Sequence, residues 1–127
     1  MKMIDKENFY LSFKVFDKSV VVEIIDLFIE EYPDRIAKLT ASIKEKDYAA
    51  LKFAAHSLKG VVANFIALEV VNQARELENL AASKVNNTME ITDTALEEQV
   101  NNIFNILKDS LVVFVEELKQ LKTEYQE

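Results

Sequence analysis

Asp47-Tyr48-Ala49-Ala50-Leu51-Lys52-Phe53-Ala54-Ala55-His56-Ser57-Leu58-Lys59-Gly60 reads as helix from its first residue to its last. Asp47 is a good N-cap, and alanine and leucine are strong helix formers. Apolar residues at Leu51, Ala54, Leu58, Val61, Val62 and Phe65 fall on one face, so the helix is predicted from about Tyr48 to Asn64. It carries the only histidine of the chain, His56, and the only glycine, Gly60. Their spacing places them one turn apart on the same face. A glycine inside a helix costs about 1 kcal/mol relative to alanine. What it offers is room for another molecule to approach the imidazole. On a helical wheel, Leu58, Ala54 and Phe65 lie nearly opposite His56, whereas Ala49, Lys52, Phe53, Lys59, Gly60 and Ala63 share its side.

Outward from this helix, one glycine and one proline among 127 residues leave almost no turn chemistry for strands. The chain is predicted to be all-α. Asp5 caps a short first helix from about Lys6 to Lys14, with Phe9 and Phe13 one turn apart. Asp17 begins a second helix running to about Lys44, striped by Val21, Ile25, Phe28, Tyr32, Ile36, Leu39 and Ile43. Pro33 removes one backbone bond from it. The stripe keeps its phase across the proline, so a kink is expected in preference to a break. A fourth helix spans about Ala67 to Ser83, with Val70, Ala74, Leu77 and Ala81 inward, and a polar loop runs from Ser83 to Asp93. Thr94 and Glu97 have the capping-box spacing and start a last helix to about Tyr125, striped by Leu96, Val100, Ile103, Leu107, Leu111, Phe114, Leu118 and Leu121. Four long amphipathic helices on short connections close as an antiparallel four-helix bundle with a short extra N-terminal helix. One domain over residues 1–127, with its bundle core at about 17–125, is expected. Val112-Val113 lies off the last stripe, which reads as a wide buried face or, more sharply, as a self-association patch.

Several classes of function are disfavoured. A net charge of −7 argues against non-specific binding to nucleic acid or to an anionic membrane. No apolar run approaches the roughly 20 residues of a membrane span. The first residues, Met1-Lys2-Met3-Ile4-Asp5-Lys6-Glu7, are too charged for a signal peptide. Without cysteine there are no disulfides or thiolate sites, and one histidine excludes a multi-histidine metal site. Glu30, Glu31 and Asp34 lack the loop geometry of a calcium site and read as a solvated face. A cytoplasmic monomer with no cofactor of its own is expected.

The chemistry centres on His56. A lone histidine is ordinarily a surface or satisfied core residue, but this one lies opposite the core stripe beside a glycine and between Lys52 and Lys59. An accessible imidazole flanked by cations suits a nucleophile that receives a phosphoryl group. It must be neutral, with one nitrogen free and the other held by a partner that fixes the tautomer. A carboxylate suits that role. The fourth helix offers Glu76 and Glu78, of which Glu78 lies on the edge of the apolar stripe. Lys59 would support the phosphoryl oxygens, its ordinary alternative being a solvated lysine. Gly60 has the alternative of a packing glycine. Lys52, Phe53, Gly60 and Ala63, with Ala67 and Val71 nearby on the fourth helix, are read as an apolar docking patch with a charged rim.

His56-Ser57-Leu58-Lys59-Gly60 matches a His-x-Leu-Lys-Gly motif, and Leu77-Glu78 matches a Leu-Glu pair that follows it. With Asp47, and Glu30-Glu31-Tyr32-Pro33 followed by Arg35 and Leu39, the stretch of about 17–82 resembles the histidine-containing phosphotransfer (Hpt) family. The resemblance implies that His56 takes a phosphoryl group from a receiver-domain aspartate and passes it to another receiver, with Lys59 in support. In some relatives a glutamate at the place of Glu78 bonds the histidine ring. Receiver domains, and a hybrid histidine kinase, are the implied partners, the receiver bringing Mg²⁺ and most catalytic groups. The alternatives are a partner-binding four-helix module without phosphotransfer, or the phosphotransfer domain of a histidine kinase. Val61 and Val62 depart from the small residues usual after the motif, and Ile66 stands where the family usually has a second glycine. A β-branched residue does not readily adopt positive φ, so the turn at Ile66 is expected to have another shape or to stay helical longer.

Overall fold

A computed structural model describes residues 2–127. Its elements are α1 (Lys6–Phe13), α2 (Lys18–Lys44), α3 (Tyr48–Ala63), α4 (Leu68–Asn86) and α5 (Asp93–Gln126), with no strand among the described residues. The four long helices form a closed ring in which α3 packs on α2 and α4, and α5 closes it against the same two. Short connections make sequential neighbours antiparallel. α3 and α4 share the most extensive contact. Ala55 on one and Ala74 and Ala81 on the other are fully buried.

Local chemistry sets the helix starts. The Asp5 carboxylate accepts from the Asn8 N–H at 3.2 Å, and that of Asp47 accepts from the Ala50 N–H at 3.1 Å. Asp17 occupies the N-cap of α2 without a side-chain bond. α2 runs unbroken through Pro33, whose ring lies on an exposed face. Two boundaries differ from the sequence reading. α4 continues through Ser83 to Asn86 and ends at Asn87, which takes the left-handed conformation at φ 51°. The cap of α5 is Thr92 and not Thr94: its hydroxyl accepts from the Ala95 N–H at 3.1 Å. Asp93 then enters the first turn, where it pairs with Lys84 at 2.8 Å and faces the positive end of the helix dipole.

The α5 stripe is buried throughout, and on α3 the inward residues are Leu51, Ala55, Leu58 and Val62. Ala55 replaces Ala54 and Val61 at the centre of that face; those two are half-buried at its edges. Val112 is exposed, while Val113 packs against the core edge.

Phe65 is the hub of the core. Its ring meets Phe28 edge-on at 5.7 Å and Phe114 at 5.8 Å, and lies near-parallel to Phe13 at 6.3 Å and Phe9 at 6.4 Å. This corrects the expectation for the next residue. Ile66 does adopt positive φ, 59°, and the turn keeps its left-handed shape. That conformation costs an L-residue about 1–2 kcal/mol. Burying a phenylalanine stabilises by up to about 3 kcal/mol, and aromatic pairs add to it. The Ile66 carbonyl, turned outward by this twist, accepts from the Asp5 N–H at 2.9 Å.

The N-terminal segment is held on its other side by Glu117 of α5, a buried carboxylate. It accepts from the Met3 N–H at 2.8 and 3.1 Å and from the Ile4 N–H at 3.3 Å. Nothing in the helical pattern marks this residue, because it lies beside the stripe and its partners are backbone amides. Glu117→Ala is expected to lower the unfolding free energy by about 2 kcal/mol, the cost of stranding buried donors. The melting temperature should fall by several degrees. Unchanged thermal unfolding would mean that water replaces the carboxylate at no cost.

Candidate functional site

α3 carries His56 on its outer face. The side chain is 66% exposed, because the burial of Leu51, Ala55, Leu58 and Val62 fixes which side of the helix faces water. Gly60 lies one turn further on the same side, and a Cβ placed there would meet nothing within 4 Å. That excludes the packing role for this glycine. The space it clears is outside the molecule, beside the imidazole.

α4 returns alongside α3 and presents Glu78 to the ring. Its Oε2 lies 2.8 Å from His56 Nδ1, across 22 residues of sequence. A carboxylate only accepts, so a neutral ring carries its proton on Nδ1 and Nε2 keeps the free lone pair. The other oxygen, Oε1, accepts from the Lys59 ammonium at 2.6 Å. Glu78 is 15% exposed and Lys59 22%, so this bridge is largely sheltered from water. Burial pushes the Glu78 carboxyl up. The hydrogen bonds from Lys59 and His56, and the charges behind them, oppose it and prevail, leaving the group below its ordinary value. Lys59 is therefore no solvated lysine; its ammonium is committed to Glu78. Glu76, the other carboxylate considered for the ring, faces the opposite groove with Leu80, Met89 and Ile103, between α4 and α5.

Of the residues read as a docking patch, Phe53, Gly60 and Ala63 are exposed around His56 and Lys52 is half-buried. Ala67 and Val71 are buried and do not belong to that surface. Ala67 is the N-cap of α4, directly after the turn that seats Phe65, and Val71 lies one helical turn on, which puts both on the core face. Two neighbours of the site were not among the site residues expected from the sequence, although Arg35 was part of the family resemblance. Arg35 of α2 donates from Nη1 to Ser57 Oγ at 2.9 Å and from Nη2 to Glu31 at 3.2 Å, tying α2 to the residue beside the histidine. Val85, on the extra turn of α4, reaches the His56 side. The absence of a helix breaker before Asn86-Asn87 was the signal for that extra turn.

A family model described as the Hpt domain matches residues 23–126. No curated protein and no solved structure gives a significant match.

The Glu78 bridge makes a signed prediction. A carboxyl depressed in the fold contributes stability that is complete above its ordinary value of 4.5 and is lost as the pH falls through the folded value. The difference in unfolding free energy between the wild type and Glu78→Gln, measured by urea titration, should shrink as the pH falls below about 4.5. A difference that stays flat through pH 3 would mean that the two partners do not stabilise the carboxylate.

Proposed function

Because this chain belongs to the Hpt domain family, whose members serve histidine phosphotransfer in phosphorelays with receiver domains, we propose that it is a phosphocarrier that accepts a phosphoryl group on His56 and hands it on. The observation that carries this reading is the carboxylate at Nδ1 of an exposed imidazole. The Nε2 lone pair attacks the phosphorus of a receiver aspartyl phosphate. The N–P bond forms as the P–O bond to the aspartyl group breaks, and the aspartate leaves as a carboxylate. The proton stays on Nδ1, so the ring becomes cationic. Glu78, already hydrogen-bonded at that nitrogen, stabilises the charge as it develops. The reverse sequence delivers the group to another receiver.

Lys59 has three donors. One is used by Glu78; another is available to a phosphoryl oxygen without breaking the bridge. Mg²⁺ and the remaining neutralising groups come with the receiver in this reading, since phosphoryl transfer rests on positioning and on charge neutralisation. Phe53, Gly60 and Ala63, with Lys52 at the rim, form the approach surface.

Incubation with a phosphorylated receiver should label the wild type in a form stable to base and labile to acid. His56→Gln should keep the helix content and lose the label. Full labelling of that variant would place the acceptor elsewhere, and a wild type that takes no label would leave only a binding module.

Gly60 separates stability from docking. Gly60→Ala should raise the unfolding free energy by about 0.5–1 kcal/mol, because the added methyl group meets nothing. Gly60→Leu should raise the receiver concentration needed for half-maximal transfer while the helix content stays unchanged. Transfer that tolerates leucine at this position would move the approach of the partner off this face.

A further inference from the structure

Two clefts flank the nucleophile, and Phe53, 77% exposed, stands between them as a ridge. The cleft on the α2 side, about 330 Å³, is lined largely by charged side chains, among them Glu31, Asp34, Arg35 and Lys38. The slot on the α4 side, about 480 Å³, is lined by Ala49, Lys52, Phe53, His56, Glu78 and Val85. Its walls differ in kind. Ala49, Phe53 and Val85 make them mainly apolar, and the imidazole itself is part of the lining. Val85 is 45% exposed although it lies within reach of a helical neighbour, so this slot leaves apolar surface in water.

The position of His56 decides what covers that surface. A phosphoryl donor must bring its phosphorus to Nε2, and in doing so it lies over the wall that the imidazole forms. Charge agrees. The chain carries −7 overall, yet Lys52, on the rim of the slot, has no carboxylate within ion-pair distance among the described residues. An unpaired cation beside the nucleophile complements a partner whose reacting group is a phosphorylated carboxylate.

We propose that the slot between α3 and α4 receives an apolar side chain of the receiver domain, seated between Phe53 and Val85, with Lys52 facing the acidic phosphorylation site of the receiver. This rests on the reading of His56 as phosphoryl acceptor and adds Val85, from the last turn of α4, to the docking surface. Phe53 and Val85 thus act before the chemistry, on capture of the partner and not on the reacting atoms.

The test uses the full chain and a panel of receiver domains phosphorylated with acetyl phosphate, the one transferring fastest to the wild type being carried forward. Val85→Ala keeps a good helix former at an exposed position. It should raise the KM for the phosphorylated receiver about fivefold, with the maximal transfer rate held within about twofold, the pattern of lost binding energy. Phe53→Ala should raise KM further. Ile106→Ala, a truncation at a comparably exposed position on α5 (51%), should leave KM at the wild-type value. If Val85→Ala matches Ile106→Ala, or lowers the maximal rate with KM unchanged, the slot is not a docking site. If no receiver labels the wild type, the acceptor reading itself fails and this proposal with it, an outcome distinguishable from failure of the slot alone.

Discussion

The seating of Phe65 is the constraint on which the site depends. Its ring lies among aromatic residues from α1, α2 and α5, which pins the end of α3 to the centre of the core. Once that end is fixed, the chain has only a short turn in which to reverse, and Ile66 takes the left-handed conformation to make it. The Asp5 amide ties the strained residue to the N-terminal segment, and Glu117 ties that segment to α5. The turn is thereby held from two sides. The register of α4 along α3 follows from it. His56 lies about 10 Å back from the end of α3, and Glu78 about 15 Å along α4, at 1.5 Å per residue. The two side chains meet because the turn between them is not free to slip.

At that meeting point one carboxylate serves two donors. Glu78 binds the imidazole with one oxygen and Lys59 with the other. Lys59 offsets the negative charge of a mostly buried group, so the carboxylate remains ionised where it is needed. Without the lysine, burial alone would raise the carboxyl toward protonation, and a protonated acid no longer stabilises a cationic ring. The same arrangement occupies Nδ1 and leaves the lone pair of Nε2 free. In the proposed role, Lys59 therefore acts partly through the carboxylate that it holds ionised.

Much of this was legible in the sequence, and the reasons differ from residue to residue. The outward direction of His56 followed from helix periodicity, which fixes the angle of every residue once the core face is known. Glu78 was legible as an edge residue on the next helix, although its pairing needed the length of the turn. The sharing of that carboxylate with Lys59 was not legible, because a wheel gives direction and not the reach of a flexible side chain. Ala67 and Val71 were misplaced for a related reason: at the start of α4 the turn, and not the helix wheel, decides what faces inward. The left-handed Ile66 ran against local preference, because tertiary packing of Phe65 outweighed it. Glu117 was silent in the sequence because its partners are backbone amides, which carry no residue type.

The same geometry limits what this face does alone. His56 stands on the outside of α3, two-thirds exposed, with a vacant surface where Gly60 clears it. The cations beside it on α3 are Lys59, already engaged by Glu78, and the half-buried Lys52. A phosphoryl group in transit carries its charge on three equatorial oxygens, more than these groups neutralise in open water. In the proposed role the remainder comes from the partner, and water is excluded only when the partner covers the face. An exposed nucleophile with a prearranged ring and an incomplete electrostatic environment is suited to exchanging the same group with more than one partner, since each arrival completes the site anew.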